Sequence, residues 1–180
     1  MLNILSDIEA GLRRHLCTSE LHSMYIDYHK PYVKRIWYQH FDYRVYLHKI
    51  EPCNDSIEAL YHPHPWKSAI KILKGSYEMG VGHSKTIEVP KTDCKLILPA
   101  GTQYEMTEKD SWHYVNPLRY PVYSIMVTGE LTKREMPIEP KKSFRKLHIQ
   151  EIEDIINVVN EHYDMRLSES DMQKILLKLV

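Results

Sequence analysis

The chain has 180 residues, and its 24 Lys and Arg are matched by 24 Asp and Glu, so the formal net charge is zero. That balance argues against a nucleic-acid binder, which needs a basic face, and against an acidic disordered tail. With 43% hydrophobic and 27% charged residues and no apolar run near 18 residues, the composition is that of a globular chain that needs no disulfide or metal merely to fold, and it predicts no membrane-spanning helix.

Residues 1–31 read as an N-terminal helical segment. Ser6 with Glu9 three positions later has the pattern of a capping box, and Ile8, Leu12 and Leu16 repeat at helical spacing. A second short helix is expected from Ser19 toward Tyr28, stopped by Pro31. Asp7 and Glu9 interrupt the apolar pattern, so the segment does not read as a signal peptide. From residue 32 to 130 the texture changes to short runs rich in Val, Ile, Tyr and Trp, broken by Gly, Pro and Asp. Strands are predicted at 34–38, 44–50, 68–74, 76–81, 94–98, 103–106, 112–115 and 123–127. Eight short strands without intervening helices predict an antiparallel sandwich or small barrel.

Residues 131–148 read as a basic connector, with Pro137, Pro140, Lys141, Lys142, Arg145 and Lys146. Residues 149–180 read as a helical pair. Ile149, Ile152, Ile156 and Val159 mark one apolar stripe, with acids near the helix start; Met172, Ile175, Leu176 and Leu179 mark the other. These stripes must be buried on the β domain, on each other or on a second subunit, which makes a homodimer possible. Cys17, Cys53 and Cys94 are odd in number and widely spaced, as expected of reduced thiols in a cytoplasmic protein.

The stretch Tyr61-His62-Pro63-His64-Pro65-Trp66 carries the strongest chemical signal. In extended backbone, residues i and i+2 share a face, so His62 and His64 present two imidazoles side by side. The prolines suit an edge or bulged strand. His113, on a later strand, supplies a third imidazole. Three His with an open position suit iron, zinc or another first-row ion. The remaining eight of the 11 His read as surface or packing residues. Trp66, Tyr104, Trp112 and Tyr114 flank the ligands and could wall a pocket or form core. Glu78 could be a fourth ligand or a solvated carboxylate.

Taken together, these residues resemble the cupin family over about residues 44–129. His62-x-His64, the apolar strand 68–74 and Gly75 thirteen residues after the first His are similar to the first cupin motif. Leu98-Pro99-Ala100-Gly101 is similar to the Pro-x-Gly turn of the second motif, and His113 to the third ligand. The resemblance implies a mainly β, single cupin barrel (a double-stranded β-helix, or jelly roll) with a metal inside its mouth. The usual Glu four residues after the second His is replaced by Ser68, and the usual second-motif His by Tyr104. A three-His set of this kind resembles the thiol dioxygenase branch, cysteine dioxygenase-like, and the segment is also similar to uncharacterised cupins of phages and bacteria. The branch implies an early-strand Arg for a substrate carboxylate, for which Arg35 and Arg44 are the two possibilities. It also implies a Ser-x-His-x-Tyr run on the last strand, where this chain has Ser124, Met126 and Thr128.

The expected function is therefore that of a metal-binding cupin: a non-haem Fe(II) dioxygenase-like enzyme acting on a small polar substrate, thiols included. Zn, Ni and Mn are the alternative metals. The metal set is His62, His64 and His113, and the catalytic candidates are Arg35, Arg44, Tyr104 and Ser124. The alternative is a non-catalytic small-molecule-binding or structural cupin. Neither a nucleic-acid nor a membrane partner is expected.

Overall fold

The computed structural model describes residues 1–54, 58–130 and 144–179. Helices α1 (Leu2–Ala10) and α2 (Leu12–Thr18) open the chain, broken at Gly11. They are followed by β1 (His22–Ile26), β2 (Val33–His40), β3 (Tyr43–Ile50), β4 (His62–Pro63), β5 (Ser68–Lys74), β6 (Ser76–His83), β7 (Cys94–Pro99), β8 (Gln103–Met106), β9 (Ser111–Pro117) and β10 (Val122–Thr128). Helices α3 (Ile149–Tyr163) and α4 (Glu169–Leu179) follow. All eight strands predicted between residues 34 and 127 are present.

Two sheets form, ordered β1-β2-β3-β10-β5-β8 and β4-β9-β6-β7. From β3 onward the pairing is nested: β3 with β10, β4 with β9, β5 with β8 and β6 with β7, all antiparallel. A strand ribbon that folds over so that first meets last is a jelly roll, the cupin-like architecture. Gly75 (φ 87°) and Gly101 (φ 88°) make the turns after β5 and β7 in backbone that only glycine adopts without strain. The two sheets face one another and do not close into a barrel.

Alternation along the strands divides the six-stranded sheet into two buried faces. Outward-facing Ile36, Val45, Leu47, Ile125 and Val127 join Leu5, Leu12, Ile152, Ile156 and Ile175 of the helices in the largest core cluster. Inward-facing Tyr46, Ile70 and Met126 form a second cluster between the sheets. Every residue of β10 is buried. Polar ties hold the helices in place. Glu9 accepts from Lys71 and Tyr163, each at 2.6 Å, and Asp154 accepts from Lys49 at 2.7 Å. Lys178 donates to the carbonyls of Leu16, Cys17 and Ser19 at the end of α2, where a cation is favoured.

Three expectations need correction. Residues 22–26 form strand β1, not a helix, because they add an edge to β2 and stack His22 on Trp37 at 4.2 Å. Ser6 caps nothing, since α1 already begins at Leu2, and Glu9 is engaged by Lys71 and Tyr163. The sheets form an open sandwich where a barrel was expected, since no ladder among the described residues joins them. Apart from Ile149, which is exposed, the stripes of α3 and α4 pack against this chain's own sheet and helices, so their burial does not require a second subunit. Most of the basic connector, residues 131–143, lies outside the described residues. No helix is long and apolar enough to cross a membrane among the described residues.

The docking of the helices can be tested through stability. Ile156 is fully buried against the sheet, so Ile156→Ala should cost about 2–4 kcal/mol in denaturant unfolding; a loss below 0.5 kcal/mol, roughly the surface level, would contradict the docking. At the start of α3, two Arg145 hydrogen bonds (2.8 and 3.0 Å) hold the Glu151 carboxyl down to about 2, helped by the His148 backbone N–H. A carboxyl whose folded value is depressed contributes stability that is present above its ordinary range and lost as pH falls through the folded value. Glu151→Gln should therefore cost roughly 1 kcal/mol near neutrality, and its deficit relative to the parent should shrink as pH drops from 5 toward 2. A deficit that stays constant over that range would exclude this ion pair as its source.

Candidate metal centre

Register builds the site. The two-residue strand β4 pairs with β9 so that His62 lies opposite His113. His64 follows just past the strand end, flanked by Pro63 and Pro65, and its ring returns to the same place. Ring centroids are 5.0 Å apart for His62–His64, 5.0 Å for His62–His113 and 4.6 Å for His64–His113. One nitrogen from each lies within 4.8 Å of the other two. The Nδ1–H of His62 donates to the Leu60 carbonyl at 3.0 Å, which leaves its Nε2 as a free lone pair. The Nε2 atoms of His64 and His113 approach to 2.6 Å.

Electrostatics keeps these rings neutral. Burial pushes His62 down to about 4, the Leu60 carbonyl opposing and the charges of His29 and Arg35 adding to the fall. Burial also drives His64 and His113 well below the ordinary imidazole value. Neutral imidazole is the metal-binding form. The Nδ1 atoms of His64 and His113 are buried without a partner, so the Nε2 atoms, which approach one another, are the pair that would hold an ion. The donor set fits a first-row divalent ion: three borderline nitrogens within 4.8 Å of one another.

Opposite the triad lies the inner face of the six-stranded sheet. Arg35 on β2 pairs in register with His48 on β3, and His48 with Ser124 on β10. The Arg35 guanidinium lies over the Tyr46 ring at 4.7 Å, and its Nε is buried without a partner. Among the described residues no carboxylate pairs with it. After their own burial, its charge further lowers His29, His48, His62 and His64, so it stands close to all four. His48 stacks on Tyr46 at 5.7 Å, and its Nδ1 lies 3.4 Å from the Ser124 hydroxyl.

The other expected residues divide. Arg44 is exposed, lies over Trp37 at 5.4 Å and lines a side pocket with Asp42, Tyr46, Glu130 and Trp66 that does not include Arg35. Tyr104 spans the gap between the sheets and shares a 2.6 Å hydrogen bond with the Tyr77 hydroxyl. Trp66 sits against His64 at 5.7 Å. Because His113 faces inward, Trp112 and Tyr114 face outward. The Tyr114 ring covers Gly80, where no Cβ would fit, and its hydroxyl donates to Glu78 at 2.7 Å. Glu78 also takes Lys95 at 3.2 Å, so it is no ligand. Of the other eight histidines, His29 lies 6.4 Å from His62, and His48 is the register partner of Arg35. A signal for His48 exists in the strand itself, where Arg44, Tyr46 and His48 alternate with Val45 and Leu47 and mark a polar inward face.

Neither a protein-family model nor a curated protein matches the sequence. Solved structures that overlap with it include hydroxypropylphosphonic acid epoxidase from S. wedmorenis, at 13% identity over 59% of this chain and 55% of that one, TM-score 0.46. KdgF from Halomonas sp. overlaps at 13% identity over 59% of this chain and 87% of that one, TM-score 0.43. AerE from Microcystis aeruginosa overlaps at 19% identity over 68% of this chain and 50% of that one, TM-score 0.45. The chain spans about half the length of the epoxidase and of AerE. Likenesses this distant bring no chemistry to this chain, whose fold rests on its own strand order.

Replacing His62, His64 or His113 by Ala should each lower bound metal at least roughly tenfold, measured by elemental analysis of untagged protein, with the far-ultraviolet spectrum unchanged. Glu78→Ala should leave metal content as it is. Equal loss from Glu78→Ala and His113→Ala would refute the ligand set.

Proposed function

We propose that this chain is a metal-dependent enzyme, with Fe(II) as its metal, that oxidises a small polar substrate carrying an oxyanion group, a thiol acid being the class that the sequence resemblance favours. The observation that carries the reading is the Arg35 guanidinium, which pairs with no carboxylate among the described residues and whose charge acts on the neutral imidazoles of His62 and His64. Arg35 is half-buried with its Nε fully enclosed, burial lowers its pKa, and a substrate anion would supply a partner for that charge. Fe(II) held by three imidazoles supplies Lewis acidity and one-electron chemistry toward dioxygen. The protein's own residues perform the remaining tasks. Arg35 binds and orients the anion. Tyr46 and Trp66 shield the rings from bulk water. The Tyr77–Tyr104 tie fixes the separation of the sheets, and with it the distance from Arg35 to the triad. Free Cys17, Cys53 and Cys94 suit a reducing, cytoplasmic setting for such an enzyme.

A non-catalytic cupin that binds a small anion is the second reading, favoured by Met126 and Thr128 on β10 in place of the His and Tyr of the thiol dioxygenase run. Oxygen uptake by iron-loaded protein separates the two. Consumption triggered by 3-mercaptopropionate or cysteine, but not by cysteamine, which lacks the carboxylate, supports the enzyme. Binding without uptake supports the second reading. Arg35→Met should raise KM for the acid roughly 10- to 100-fold with metal content unchanged, whereas Arg44→Met should change neither. Equal effects of the two substitutions would remove Arg35 from its role.

A further inference from the structure

Two nitrogens on the inner face of paired strands are unsatisfied: Arg35 Nε and His48 Nε2 are both buried without a partner. Arg35 and His48 are register partners on β2 and β3. The remaining nitrogen of His48, Nδ1, meets only the Ser124 hydroxyl, at 3.4 Å. Ser124 is 2% exposed, and among the described residues its hydroxyl has no other partner. A buried hydroxyl needs an acceptor for its hydrogen. If Ser124 donates to Nδ1, the hydroxyl is satisfied and the imidazole proton resides on Nε2. The reverse arrangement leaves a buried O–H with nowhere to donate.

We infer that Ser124 holds His48 in its Nε2–H form, and that His48 and Arg35 together make a two-donor subsite for the oxyanion group of the substrate. The inference rests on the proposed reading of Arg35 as an anion site and extends it: His48 is the specificity-determining partner of Arg35, and Ser124 is a positioning residue that acts through His48. One acceptor group bonded to both N–H donors would satisfy the two buried nitrogens at once. A lone Arg would accept any anion of suitable size; a second, directional donor favours groups with two separate acceptor oxygens, the shared chemistry of carboxylates and sulfonates. His48 is not one of the three metal ligands, so its substitution separates anion recognition from metal binding. Its stacking on Tyr46, the ring that also carries Arg35, fixes both donors on one aromatic platform.

The test is nitrogen-resolved NMR on full-length, zinc-loaded protein labelled at histidine and arginine. The His48 ring should show the proton on Nε2. Sodium acetate, and in a separate arm methanesulfonate, should shift both His48 Nε2–H and Arg35 Nε–H, and the tighter of the two identifies a planar or a tetrahedral group. His48→Asn, which cannot place a donor at the Nε2 position, should weaken binding of the tighter probe about tenfold or more at unchanged zinc content. His48→Gln, which can, should stay within about threefold of the parent. Ser124→Ala should allow the other tautomer to appear and weaken binding in proportion. A His48 proton found on Nδ1, anion shifts confined to the three metal-binding rings, or equal binding by His48→Asn and His48→Gln would each overturn the inference. Failure to hold zinc would instead defeat the metal reading, and the His48 tautomer would still be readable in that protein.

Discussion

The structure depends on one constraint: the six-stranded sheet must be buried on both faces. Its outer side chains are apolar and would lie in water without a cover, and the helices at the two ends of the chain supply it. Residues 1–18 and 149–179 therefore belong to the β domain energetically, although they stand far apart in sequence. Glu9 shows the coupling most directly, since one carboxylate on α1 joins Lys71 of β5 and Tyr163 of α3. With the outer face sealed, the inner face is released from core duty over part of its area. That is where Arg35, His48 and Ser124 can stand between two layers of packed residues.

The inner face is costly to maintain. A guanidinium that has no counter-ion among the described residues and several imidazoles held neutral by burial each forgo hydration. Such groups persist where the surrounding structure is rigid enough to prevent collapse or water entry. The Tyr77–Tyr104 hydrogen bond between the sheets, the aromatic platform of Tyr46 and the fully buried β10 provide that rigidity. The opposite sheet contributes in another way. Gly80 lets the Tyr114 ring lie flat on its outer surface, so the alternation that points Tyr114 outward points His113 inward. The position of the third imidazole is thus set by packing on the far side of the strand that carries it.

The sequence alone carried the class of fold and the three histidines. Period-two alternation and turn glycines are local signals, and they marked eight strands together with the short segment from His62 to His64. Residues i and i+2 share a face in any extended chain, so that pair is legible from its spacing. Helical spacing likewise identified α3 and α4, because their stripes repeat every three or four residues within a single element. The misreading of residues 22–26 has the same root: five residues are too few to show a period, and only the edge of β2 makes them a strand.

What tertiary structure alone decided is which distant residues meet. Arg35 and Arg44 are equivalent by composition and strand context, and the β2–β3 register, not any local signal, places Arg35 opposite His48 and leaves Arg44 exposed. Glu78 and Tyr114 looked like neighbours of the metal, yet strand parity turned them to the other face. The placement of His29 near His62 and of His48 beside Ser124 was not legible in the sequence, because it arises from contacts with side chains distant in sequence. Local conformation follows from short-range sterics and periodicity, which a sequence displays. The company a buried charge keeps follows from sheet register and from which face is sealed, and those are settled only when all the strands and helices pack together.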